Sequence, residues 1–343
     1  MANQPTSRSL DPGDGAVFLT ALMAAVKRPA AWGTTALGIA AMGLFAATPV
    51  YRFVDLSLEH RYEPGSQRFN LDETFWQDHA GGIEVVRSQL ATTGGFLALA
   101  AFLFGCFTAG GWLRLLLDPG RGYGRLFFAG GARYFWRFLR LALVVLVLAH
   151  VVGVLTQGVI WRELVLEGWA GWEGGQAENS TSELTVARLG WASDFLHLLG
   201  LSIVLSWALL TRARIVLENR QSALVAGSMT FWTLLRHPFA TLRPLVCLVA
   251  LEFAGLLGLA LLFRALESGL AGGAGWVFIP MLLISAFALV LREILHGARY
   301  AAALIVSKRL VRPMPTDPWG DRIGGPGGPQ YPLAEDDEFS VAM

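Results

Sequence analysis

Two ionisable residues, His150 and Glu252, sit deep inside otherwise apolar runs. Inside hydrocarbon such groups are costly, and they mark either a functional path or a compensating partner. Each follows a basic residue that should stand at the membrane edge, Arg140 and Arg243 respectively. At about 1.5 Å per residue, both side chains then lie roughly 14–15 Å in, at nearly equal depth. A His–Glu pair there would relieve both desolvation costs, and it could bind or pass a proton. A relay needs more than two stations, so the pairing reads as structural first and functional second.

Other constellations are sparser. Glu293 and His296 have a Glu-x-x-His spacing that puts both on one helical face. A di-iron bundle needs two such motifs and further glutamates. With Arg292 and Arg299 beside them, an interfacial salt bridge is the better reading. Asp194 and His197, one helical turn apart, could meet His60, His79 and Asp78 around a metal, but nothing fixes that spacing and solvated charges explain it. There is no Gly-x-Ser-x-Gly, phosphate-binding glycine loop or His-Glu-x-x-His. The expectation is no catalytic residue, no metal and no cofactor.

The elements carrying these residues must cross a membrane. Of 343 residues, 54% are apolar and only 15% charged, with a mean hydropathy of +0.49; soluble domains carry about a quarter charged residues. A net charge of +1 with no extended basic patch argues against nucleic acid. Cys106 and Cys247 lie in apolar runs, which excludes a disulfide scaffold or zinc site. Runs of about 20 apolar residues fall near 31–51, 91–113, 141–161, 191–211, 245–263 and 276–291. The fold class is all-α, a polytopic membrane protein with six transmembrane helices.

Orientation follows from the loops. Spans two and three are joined through six arginines, Arg114 to Arg140, against Asp118 alone. Spans four and five are joined through five arginines, Arg212 to Arg243, against Glu218. Residues 52–89 and 162–190 carry an acidic excess instead. By the positive-inside rule both termini are cytoplasmic. Trp161, Trp191 and Trp276 would mark outer span ends, and Trp32 and Trp112 inner ones. Because a polar stretch precedes the first run, no cleavable signal peptide is expected.

Internal similarity suggests three units spanning residues 14–312, each an interfacial helix followed by an out-and-back hairpin. Phe135-Trp136-Arg137 with Arg140 precedes span three, Phe231-Trp232 with Arg236 precedes span five, and Phe18-Leu19 through Lys27-Arg28 is a weaker copy. Aromatics on one side and arginine on the other suit helices lying in the headgroup plane. Small residues at four-residue spacing mark helix-packing stripes: Ala101, Gly105 and Ala109 in span two, Ala250, Ala254 and Gly258 in span five. Contact within one chain is the plainer use of these stripes, an oligomer seam the other. Residues 1–13 and the Pro/Gly-rich tail 313–343 should be disordered, the tail closing on an acidic-aromatic segment, Glu335 to Phe339.

The segment Arg212-Ala213-Arg214-Ile215-Val216-Leu217-Glu218-Asn219-Arg220-Gln221-Ser222-Ala223, followed by an interfacial helix and Arg236-His237-Pro238, resembles a pattern in uncharacterised bacterial six-span inner-membrane proteins. These are similar in layout to the membrane domain attached to some glycerophosphodiester phosphodiesterases. The resemblance implies a bacterial plasma-membrane location and a helical bundle. It carries over no activity, because the catalytic domain of those enzymes has no counterpart here.

Three functions are compatible with this sequence. The first is a non-enzymatic membrane subunit or scaffold, embedded in the bilayer and holding a protein partner at its cytoplasmic face or tail. The second is a transporter or proton-coupled channel centred on His150 and Glu252. The third, a membrane-embedded lipid-modifying enzyme, lacks a recognisable nucleophile or metal set.

Overall fold

The computed structural model describes residues 17–58, 80–118, 123–172, 182–270 and 278–310. Contacts divide the chain into Met1–Ser307 and Lys308–Met343; the architecture below is that of the first unit. The predicted terminal segments 1–13 and 313–343 lie outside the described residues. So do His60, Asp78, His79 and Trp276.

The described residues are helical, with no strand among them. In chain order the helices are α1 (Val17–Val26), α2 (Pro29–Leu58), α3 (Ala80–Leu117), α4 (Tyr123–Thr156) and the short α5 (Val159–Trp161), which runs into a π-helical turn at Arg162–Glu167. They continue with α6 (Glu183–Leu217), α7 (Ala223–Arg236), α8 (Pro238–Leu270) and α9 (Phe278–Leu310). Six of them (α2, α3, α4 with its continuation through the π turn, α6, α8 and α9) are long and apolar enough to cross a bilayer. The protein is therefore a multi-pass membrane protein by its architecture.

Span boundaries depart from expectation in two places, one being α9, which runs on as a single helix to Leu310, past the end expected near 291. The third run was expected to continue to Trp161, but α4 stops at Thr156. Gly158 lets the chain turn there: a Cβ on it would stand 2.8 Å from Val154 backbone atoms. Elsewhere side chains set the helix starts, as Ser182 and Ser222 each accept a bond from a backbone N–H three residues on, Thr185 and Val225, at 3.4 Å. The Phe135–Arg140 segment also differs from a separate interfacial helix. It is continuous with span three inside α4, whereas α1 and α7 are distinct helices.

The core sits at one end of the bundle, the end carrying the arginine-rich connections. Trp112 and Leu115 of α3, Phe127 and Phe138 of α4, Ile215 of α6 and Leu248 of α8 are all buried there. The second half of α9 is buried as well, with Ala301 to Val306 4% exposed or less. A helical segment apolar on every side is one enclosed by its neighbours. Glycines permit the closest crossing: a Cβ on Gly110 of α3 would fall 2.7 Å from the Gly130 carbonyl oxygen of α4. Trp112 is fully buried and packs under Gly297, so it is a core residue and not the interfacial marker expected. Toward the other end the helices carry outward-facing apolar side chains such as Leu44, Phe96, Leu146, Phe253 and Leu283.

Candidate functional site

The structure does not bring His150 to Glu252. His150 lies on an exposed face of α4, whose principal neighbours are α3 and α6. Glu252 instead meets Arg299 of α9, with Oε2 3.0 Å from Nη2. The expected pair fails for a geometric reason. Equal depth fixes position along the membrane normal and leaves the rotation of each helix free. The carboxylate found its compensating charge on a different neighbour.

Arg299 gathers the polar groups of this region. Its Nη2 also lies 3.4 Å from Nδ1 of His296, one turn earlier on the same helix. The His296 ring stands edge-on to Tyr300, with centroids 4.9 Å apart, and the Tyr300 hydroxyl faces Nη1 of Arg212 at 3.4 Å. Glu293 is buried, 4% exposed, with the Thr35 hydroxyl beside it. The Glu293–His296 pair was expected in an interfacial salt bridge with the flanking arginines. Neither Arg292 nor Arg299 bridges Glu293, and the bridge runs from Arg299 to Glu252 across two helices.

Beside this cluster lies a cavity of about 680 Å³ between α2, α3, α8 and α9. Glu252, Arg292, Glu293, His296 and Arg299 are at its polar end, with Thr35 and Thr108. Its walls are apolar: Ile39, Met42 and Ala46 on α2, Leu97, Ala98 and Phe104 on α3. Arg292 is exposed and makes no hydrogen bond or salt bridge among the described residues. Nε of Arg299 is buried without a partner. A guanidinium cannot discard its charge, so the exposed donors of Arg292 are left for an acceptor from elsewhere.

No family model, curated protein or solved structure matches the chain. The geometry therefore carries the functional reading.

The small-residue stripes have other uses than those expected. On α3, Ala109 is fully buried, whereas Ala101 and Gly105 are exposed and line the cavity. The glycines that admit a neighbouring backbone are Gly110 and Gly111, not the predicted triplet. On α8, Ala250, Ala254 and Gly258 all face outward, and a Cβ on Gly258 would meet nothing within 4 Å. The contact inside one chain favoured from sequence is absent there.

The predicted anchors are distributed between surface and packing. Trp136 is exposed and T-stacked with Phe135 at 5.4 Å. On α7, Phe231 and Trp232 are exposed, and the Arg236 guanidinium lies 4.9 Å over the Trp232 ring. The opposite side of α7 packs inward through Ala226, Gly227 and Thr230, where Trp207 donates to the Gly227 carbonyl at 2.8 Å. Arg140 is exposed beside Gln221 and Ser222. Arg137 departs from a headgroup role by donating to Oδ1 of Asn219 at 2.9 Å.

That contact explains the letters of the 212–223 segment. Asn219 takes a left-handed φ of 46° to turn the chain. Glu218 pairs with Arg214 at 2.7 Å and with Arg220 on its other oxygen. The segment is a clamped turn between α6 and α7. At the far end of the bundle Asp194 accepts from Gln157 at 3.1 Å, and Nδ1 of His197 lies 2.9 Å from the Thr156 hydroxyl. Both latch α6 to α4. Among the described residues no group of three or more His, Cys, Asp or Glu could hold a metal ion.

Proposed function

We propose that the chain is a non-enzymatic integral subunit of a bacterial inner-membrane assembly, with both termini in the cytoplasm. The observation that carries this reading is how little of the membrane-crossing length is covered. In the most apolar window of α2, 0% of residues are buried, and in none of the described spans does the share exceed 17%. Helices in a bilayer associate by close packing and polar contacts. Here those contacts concentrate at the arginine-rich end. The outward stripe Ala250, Ala254 and Gly258 leaves α8 open to close approach by another helix.

The arginine excess at the packed end supports the cytoplasmic assignment of that end. Separate short helices α1 and α7, each leading into a long hairpin, support a repeated interfacial-helix-plus-hairpin plan. The resemblance of the 212–223 segment to bacterial six-span proteins supports the location. The test is purification of the full chain in mild detergent. A stoichiometric second polypeptide supports the reading, and a chain that always purifies without one contradicts it.

A second reading, proton-coupled transport, is favoured by one observation: Glu252, Glu293 and His296 line the same cavity. It moves the centre of that hypothesis from His150 to α9. Solute uptake into proteoliposomes driven by a proton gradient, lost in Glu293→Gln, would support it; no uptake by the intact chain would end it.

A further inference from the structure

The floor of the α2–α3–α8–α9 cavity holds two guanidiniums and two carboxylates, and one salt bridge forms among them. Glu252 and Arg299 neutralise each other at 3.0 Å. What remains is a cation and an acid on adjacent residues. Arg292 is exposed with no hydrogen bond or salt bridge, and Glu293 is buried with no salt bridge among the described residues. A single anion would satisfy Arg292 and face Glu293. A zwitterion carrying both an anionic oxygen group and an N–H cation would satisfy both.

Above this floor the walls change character along both helices. On α2 the lining runs from Thr35 through Ile39 and Met42 to Ala46. On antiparallel α3 it runs from Thr108 through Phe104 and Ala101 to Leu97. Eleven residues of helix at 1.5 Å each make about 16 Å of apolar channel. Small residues keep it open: a Cβ on Gly43 or on Gly105 would meet nothing within 4 Å. A polar floor joined to an apolar channel of this length has the shape of one amphiphile.

We propose that this cavity binds a phospholipid with a phosphate–ammonium headgroup of the phosphoethanolamine kind. The Arg292 guanidinium takes the phosphate oxygens, Glu293 takes the ammonium, and one acyl chain lies along α2 and α3. A primary ammonium fits better than a quaternary one because it can donate hydrogen bonds to the carboxylate. The proposal rests on the membrane reading and is independent of the protein partner.

Native mass spectrometry of the full chain, delipidated and titrated with phosphatidylethanolamine, phosphatidylcholine or phosphatidylglycerol of one chain length, tests it. The expected result is one phosphatidylethanolamine retained per chain, at least about tenfold tighter than the other two, a gap equivalent to 1.4 kcal/mol. Glu293→Gln should erase that preference while some binding persists, and Arg292→Gln should weaken all three lipids. Gly105→Leu should block retention by filling the channel, with Gly43→Leu as a second obstruction on the facing helix. Each variant is compared only if its helical content and melting temperature match the parent. Equal retention of the three lipids, preference for phosphatidylglycerol, or binding unchanged by both channel-filling variants would overturn the proposal, leaving non-specific surface lipid.

Discussion

Oε2 of Glu252 and Nη2 of Arg299 stand 3.0 Å apart across α8 and α9, at the boundary between the packed end of the bundle and its open spans. The side chains are 14% and 26% exposed, so each shields the other from much of its desolvation cost. Removing either partner strands a part-buried charge, at a cost of about 1–3 kcal/mol. Replacing both with leucine should cost less than the two single changes summed. Thermal unfolding in detergent of Glu252→Leu, Arg299→Leu and the double variant checks this. Strict additivity would show that the pair contributes nothing as a pair.

His150 supplies the contrast. Its exposed position on α4 predicts that His150→Leu leaves the melting temperature unchanged or raises it slightly. A loss as large as that of Glu252→Leu would mean that the ring has a partner the bundle does not display.

The close crossing of α3 and α4 makes a sharper structural prediction. Gly110→Ala puts a methyl 2.7 Å from a backbone oxygen, which cannot move aside as a side chain can. Such overpacking costs about 1–3 kcal/mol. Gly105→Ala, five residues away, enters open space and should be neutral within about 0.5 kcal/mol. Melting curves that rank the two alike would contradict the crossing.

The six spans were legible because each is a long apolar run, and length against bilayer thickness is a one-dimensional property. Each predicted span falls on a helix among the described residues, but α4 ends at Thr156, where Gly158 breaks it, and α9 runs on to Leu310, past the end expected near 291. The site was half legible. Glu252 stood out as a buried acid, and Glu293, His296 and both arginines were visible as a cluster. Their convergence was not legible, because it depends on helix rotation and neighbour choice, which depth and periodicity do not encode. Arg212 and Tyr300 gave no signal at all, since an arginine near a span end reads as a topology marker. Small residues were equally ambiguous, because Gly105 opens a cavity and Gly110 closes a crossing with the same side chain.

Topology gives an independent expectation. In a chain with Cys106 and Cys247 replaced, cysteines at Ser66 and Ser180 should react with an impermeant thiol reagent from outside intact cells. A cysteine at Ser222, beside the arginine-clamped turn, should not. Labelling of Ser222→Cys in sealed cells would invert the orientation.

The exposed aromatics of α4 and α7 should lie at headgroup depth, with Arg133 and Arg236 toward anionic lipid at about 1 kcal/mol per basic residue. Nitroxides attached at Trp136→Cys and Trp232→Cys should show intermediate accessibility to both oxygen and a water-soluble nickel complex. Accessibility to oxygen alone would put them at the bilayer centre and sink the interfacial assignment.

The claim that this chain is one subunit of a larger membrane assembly is tested most directly by its composition when extracted gently. Affinity purification of the full chain in mild detergent, followed by native mass spectrometry, measures that composition. The account predicts a second polypeptide in fixed stoichiometry, released when Ala254→Leu or Gly258→Leu obstructs the open face of α8. A lone chain, or copies of this chain with nothing else bound, would contradict it.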